Sequence, residues 1–306
     1  MDLRQDSAAG GQWKGHPNLA VFPAPGRLSG ARGRREIGRS GERGRTGGDA
    51  RAYIHYCETM AKTRANPARI ALEIRRILRR GGSAEHAAGV QWFFKQEIKS
   101  RGWYTAALRR AAVSARREIL KNSDLSFLTG VADELFDGPI LEERTFAVLL
   151  LEGLTERFSD AEFKLFESWL RRITSWADHD GLVHYLIAPM VAAKPVRVKA
   201  VFCWAKSRDR WHRRAACVAL IQGTRRKMFF PEIKRLSALL LSDQEDMVQK
   251  GLGWLLRETA KADAKRTVPY LMSIRQRAPR FVLRTACETL TPQLRKRVLQ
   301  SRGQPQ

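Results

Sequence analysis

From Pro67 onward, apolar residues recur at three- and four-residue spacing in blocks of about 12 to 17 residues separated by short turns. That period belongs to helices that bury one stripe and solvate the opposite face. Many blocks open at or near Pro, Gly, Asp or Ser, the residue types that start helices. Helices are predicted over Pro67–Arg80, Ala84–Ser100, Thr105–Lys121, Ile140–Phe158, Asp160–Trp176, Pro195–Ser207, Asp209–Gln222, Glu245–Lys261 and Pro279–Leu290. Strand alternation is almost absent, so the chain reads as all-α.

A repeat lies inside this helical pattern. Arg214-Ala215-Ala216, Lys250-Gly251-Leu252 and Arg284-Thr285-Ala286 recur at intervals of 36 and 34 residues, each within a predicted helix. Small residues beside the cation let the next helix approach closely. A period near 35 with two helices per unit matches tetratricopeptide or short HEAT-like repeats, and the Trp-Leu-Gly-Tyr pattern of the former is missing. The expected architecture is therefore a curved α-solenoid of HEAT-like repeats over residues 61–306, whose concave face is the usual binding surface.

Residues 1–60 look different. They hold 11 of the 23 Gly, interspersed with Arg, and show no apolar period, so the segment is expected to be disordered. It reads either as a basic arm that attracts nucleic acid or as an upstream extension of a reading frame that naturally starts at Met60, the second being favoured. An export signal is rejected, because Pro17 to Pro25 offers only a short Pro-punctuated apolar patch.

The chain has 56 Lys and Arg against 31 Asp and Glu, a formal charge of +25, which points to a polyanionic partner. Residues 1–60 hold only 10 of those cations and 6 of the acids, so the excess belongs to the helical part, where it is expected to line a basic concave face. No apolar run approaches the 18 residues or so that a membrane helix needs. Cys57, Cys203, Cys217 and Cys287 have neither metal-clip spacing nor the density of a disulfide framework, which suggests free thiols and a cytoplasmic protein.

On a helix drawn at about 100° per residue, Val248, Leu252, Leu255, Leu256 and Thr259 share one face. Lys250, Trp254, Arg257 and Lys261 share the opposite one. Trp254 thus either packs on the neighbouring repeat or presents an aromatic surface to a ligand among phosphate-binding cations. Trp176 falls on the stripe of Leu165, Trp169 and Ile173, which reads as core. The polar turn Ala177-Asp178-His179-Asp180 follows it directly, and Trp176 and Asp180 would share a face if the helix continued. Trp211 reads as core, and Arg214 as an ion-pair partner within the solenoid.

His179, His184 and His212 lack partners at metal-ligand spacing, and no phosphate loop, dinucleotide fingerprint or nucleophile elbow occurs. No metal, nucleotide or other cofactor is expected.

Four segments together resemble the alkylpurine DNA glycosylases of the AlkD type, within the DNA alkylation repair enzymes. These are Phe94-Lys95-Gln96-Glu97-Ile98 with Gly102 and Leu108-Arg109; Trp176-Ala177-Asp178-His179-Asp180; Trp211-His212-Arg213-Arg214-Ala215-Ala216; and Gln249-Lys250-Gly251-Leu252-Gly253-Trp254-Leu255-Leu256-Arg257-Glu258. The last is the most specific, and the likeness spans roughly residues 85–300. The resemblance implies that Trp176 and Trp254 are aromatic walls against the deoxyribose of the damaged nucleotide, Asp180 the catalytic carboxylate, and Arg214 a cation near the DNA backbone. It also implies attack on the sugar while the base stays stacked.

Lys250, Arg257, Lys261, Arg284 and Arg214 are expected to hold phosphates of double-stranded DNA containing 7-methylguanine or 3-methyladenine. No Lys is placed as a Schiff-base nucleophile, so the expected enzyme is a monofunctional, monomeric glycosylase. The alternative is a non-catalytic HEAT-like module that binds nucleic acid or an acidic protein.

Overall fold

The computed structural model describes residues 66–300, and the expectations for residues 1–60 lie outside them. Within this span the helices are α1 Pro67–Arg80, α2 Ala84–Gln91, α3 Thr105–Asn122, α4 Leu125–Phe136, α5 Leu141–Leu151, α6 Asp160–Trp169, α7 Trp176–Leu182 and α8 Ala188–Ala193. They continue as α9 Val198–Trp204, α10 Arg210–Val218, α11 Ile221–Thr224, α12 Phe230–Leu240, α13 Asp246–Ala262, α14 Ala264–Ile274, α15 Arg280–Ala286 and α16 Pro292–Leu299. No strand occurs among the described residues, and none of their helices is long and apolar enough to cross a membrane.

Half of these helices start where a short polar side chain satisfies one of the first free backbone N–H groups. Asn66 accepts from Arg69 N, Asp124 from Phe127 N, Asp209 from Trp211 N and Asp263 from Arg266 N. Ser159 and Ser175 go further and form reciprocal capping boxes with Glu162 and Asp178.

Helices α5, α7, α10, α13 and α15 form an unbroken row, each packed on the next. Behind the last of them, α12, α14 and α16 form a second layer, with α14 against α13 and α16 against α15. This is a HEAT-like α-solenoid. The repeat markers lie on three consecutive members of the row, α10, α13 and α15, and their small residues do what was expected of them. A Cβ on Gly251 would stand 3.2 Å from Arg214 Cγ and 3.5 Å from Cys217 Cβ on α10. A Cβ on Gly253 would stand 3.1 Å from Thr285 Cβ on α15. One helix thus uses one glycine toward each neighbour.

The earlier half has an aromatic core, in which Trp169 stacks on Phe136 with ring centroids 4.3 Å apart and meets Phe166 edge-on at 5.2 Å. All three are fully buried.

Several expected helices are shorter than their apolar period. The block Ala84–Ser100 is helical only to Gln91, because the Gln91 amide grips the following backbone: its Nε2 donates to Phe94 O and Gln96 O, and its Oε1 accepts from Ile98 N. The buried Glu142 carboxylate then takes the N–H groups of Arg101 and Gly102 at 2.9 Å, with Gly102 at φ +71°. Residues 93–103 consequently cross the row as an irregular strap. The block Ile140–Phe158 ends at Leu151, before Gly153 at φ +80°. The block Asp160–Trp176 stops at Trp169, passes through a single turn at Leu170–Arg172, and restarts at Trp176. Trp176 therefore begins a helix instead of ending one, and the expected polar turn after it is helical.

Gly251→Val forces a Cβ and two methyl groups against Arg214 and Cys217. The expected cost is about 1–3 kcal/mol of unfolding free energy by denaturant titration, the usual range for overpacking.

Candidate functional site

The site begins with the cap of α7. Ser175 N donates to Asp178 Oδ1 at 2.7 Å, and Thr174 N donates to Asp178 Oδ2 at 2.9 Å. Arg144 on α5 adds Nη1 to Asp178 Oδ2 at 2.9 Å and Nε to Gly138 O at 2.7 Å. Asp178 is thereby almost wholly buried and saturated, a structural carboxylate that fixes where α7 starts.

Four residues after Trp176 comes Asp180, and four after that His184, a spacing that keeps side chains on one helical face. Between the last two, the α-helix passes into a π-turn at Val183–Ile187, a distortion frequent at functional sites. Each member of the stripe meets a partner from elsewhere. Phe94, carried by the strap, stacks on Trp176 with centroids 5.0 Å apart and planes within 15°. Arg214 reaches Asp180 from α10, and the Trp254 ring lies 5.4 Å from that of His184.

Asp180 is held by three contacts from two residues. Arg214 grips it with both arms of its fork, Nε to Oδ1 at 2.9 Å and Nη2 to Oδ2 at 2.7 Å. His179 Nδ1 lies 2.8 Å from Oδ1. Oδ2 accepts one of these bonds and keeps a lone pair, and the side chain is 21% exposed. Burial alone would raise the Asp180 pKa, but the Arg214 charge and the donors from His179 and Arg214 outweigh it and hold the carboxyl well below the usual carboxylate range.

His179 is fully buried, with Nε2 3.1 Å from Trp211 O. Desolvation pushes its pKa down more than Asp180 raises it.

Arg214 is buried, and its remaining arm donates to Met247 O at 2.6 Å at the start of α13. The ion-pair reading of this residue describes its contacts; its guanidinium is occupied within the protein and does not stand open to a phosphate. Trp176 and Trp254 are both half-buried, so Trp176 is not the core residue its periodicity suggests, whereas Trp211 is buried as expected.

The other four cations divide. Lys250 donates to Asp246 at 2.7 Å, and Arg257 contacts Glu258 at 3.2 Å and Glu288 at 3.0 Å. Lys261 and Arg284 are exposed and have no carboxylate within ion-pair distance among the described residues. No group of three His, Cys, Asp or Glu side chains among the described residues could hold a metal ion.

Two contributors are invisible to helical spacing alone: Phe94 and His179. Phe94 lies 82 residues from Trp176 in the chain and reaches it only because Gln91 and Glu142 hold the strap. His184 was legible in principle, one turn beyond Asp180. Together these groups present an ionised carboxylate near the half-buried faces of Trp176 and Trp254, an arrangement suited to stabilising a cation.

The depressed Asp180 pKa carries a stability signature. A carboxyl whose pKa is lower folded than unfolded stabilises the fold above its unfolded value near 3.9, and that contribution is lost as the pH falls further. Wild type should therefore lose stability between about pH 5 and pH 2 more steeply than Asp180→Asn, measured by denaturant titration across that window. Arg214→Met strands the carboxylate and should cost about 3 kcal/mol at pH 7, the lower end for breaking a buried pair.

The sequence profile of the DNA alkylation repair enzymes matches residues 74–290. A solved structure from Enterococcus faecalis, described as a predicted DNA alkylation repair enzyme, has the same fold, with a TM-score of 0.63 at 17% identity. The superposition covers 70% of this chain and 99% of that one. No curated protein sequence matches the chain. Since the profile spans more than half of the sequence, the chain belongs to the DNA alkylation repair enzyme family.

Proposed function

We propose that this protein is a monofunctional DNA glycosylase that hydrolyses the N-glycosidic bond of cationic alkylpurines, 7-methylguanine and 3-methyladenine, in double-stranded DNA. The observation that carries the reading is Asp180, a carboxylate kept ionised by Arg214 and His179 yet with a side chain 21% exposed. An alkylated purine already bears positive charge, so it leaves without a general acid. The barrier lies in the sugar, which becomes oxocarbenium-like as the bond breaks.

A fixed carboxylate lowers that barrier by opposing the new charge, and it can orient the attacking water. Its orientation costs nothing at the moment of reaction because Arg214 and His179 set it beforehand. The Trp176 and Trp254 faces add attraction for the same cation, each about 0.5–2 kcal/mol when desolvated. Phe94 fixes the plane of Trp176, and His184 lies against Trp254. Lys261 and Arg284 supply exposed charge for the phosphates, while Lys250 and Arg257 exchange their exposed partners Asp246 and Glu288 for phosphates, an exchange of small cost at a surface.

One observation favours a second reading. The Asp180–Arg214 pair also joins α7 to α10, which a non-catalytic DNA-binding solenoid would use as a strut.

The two readings separate in one assay. A duplex carrying a single 7-methylguanine is incubated with protein and treated with alkali. Wild type should yield strand scission and Asp180→Asn essentially none, with duplex affinity retained; equal inactivity of both with intact salt-dependent binding identifies the strut. Trp254→Ala should lower excision far more than binding, and omitting alkali should leave the abasic strand intact.

A further inference from the structure

The turn that joins α11 to α12 carries Arg225, Arg226 and Lys227 in succession, all exposed, and none has a carboxylate within ion-pair distance among the described residues. Its backbone closes α11 with Lys227 N donating to Thr224 O at 2.8 Å and Met228 N to Gly223 O at 3.0 Å. That pair of bonds is the motif in which the residue after the helix end takes the left-handed conformation and is usually Gly. Here it is Lys227, at φ 57°. Phe229 is left-handed as well, at φ 64°, and its ring covers Gly223 so closely that a Cβ there would stand 2.4 Å from it. A long cationic side chain thus occupies a position whose backbone favours glycine, in a turn fixed by a buried aromatic.

The turn adjoins two parts of the site region. Lys227 shares a small hollow with Thr224, Met228, Ala262, Asp263 and Arg266, which sets it against the end of α13 where Lys261 is exposed. The one carboxylate of that hollow, Asp263, is engaged as the cap of α14. Burial and then nearby charges set the ionisation of His184 and of Tyr185, and Arg225 is among those charges for both.

We infer that Arg225, Arg226 and Lys227, with Lys261, form a preshaped clamp for the backbone phosphates of duplex DNA beside the Asp180 site. The inference rests on duplex DNA being the substrate. Its four cations need displace no carboxylate before they bind, unlike Lys250 and Arg257. Held by Phe229 and Gly223, the turn also loses little freedom on binding, which favours affinity.

The test is a salt titration of affinity for an undamaged duplex by fluorescence anisotropy, which does not depend on excision. Arg225→Gln/Arg226→Gln/Lys227→Gly should weaken binding about tenfold and flatten the slope of log K against log salt by about 2 to 3, near 0.9 for each phosphate no longer neutralised. The single variant Lys227→Gly should flatten it by about 1 while raising Tm by about 2 °C, since glycine relieves the left-handed backbone. A structural role for Lys227 would lower Tm and leave the slope alone. Wild-type affinity and slope in the triple variant overturn the clamp; wild type without salt-dependent duplex affinity overturns the DNA-repair reading with it.

Discussion

The grip of Arg214 on Asp180 is the contact on which the rest of the site depends. It is bidentate, it joins neighbouring members of the helix row, and it leaves the carboxylate ionised and partly exposed. Arg214 can lie there only because α13 offers no side chain at Gly251. Sequence spacing, close packing and electrostatics converge on one residue: the 34-residue interval from Asp180 to Arg214 is the repeat period itself. The Arg144–Asp178 pair, also 34 residues apart, repeats the arrangement one helix earlier. There the carboxylate is fully buried and spent on capping α7, so two acids two positions apart serve opposite ends, one structural and one open to a ligand.

Much of the fold could be read from the chain. The limits of α1, α3 and α13 follow their apolar stripes to within a residue, because those helices are long, and α1 also opens on the Asn66 cap and Pro67. The 36- and 34-residue intervals mark true neighbours, since the small residues beside each cation meet the adjacent repeat. Where expectation overran, a side chain far from the apolar stripe had taken over the backbone: Gln91 ended α2, and Ser175 with Asp178 began α7. Helix α4 escapes because its sequence is apolar on more than one side, and α14 because Pro269 interrupts its reading.

The site was only half legible. Trp176, Asp180, Arg214 and Trp254, singled out from the sequence, lie on three consecutive helices of one row. The aromatic partner Phe94 was not, since it arrives on an irregular strap whose path is dictated by the buried acid Glu142. The state of the cations was not legible either. Charge counting treats Lys250, Arg257, Lys261 and Arg284 alike, yet two of them already face carboxylates, and the turn at Arg225–Lys227 attracts attention only through its left-handed backbone.

The proposal that Asp180 acts as a permanently ionised carboxylate is tested most directly by single-turnover excision of 7-methylguanine as a function of pH, at saturating protein. With Asp180 held far below the usual carboxylate range, the rate constant should stay level from pH 8 down to about pH 5. A rate that falls with an apparent pKa inside that window, or wild-type protein that releases no base at any pH, contradicts it.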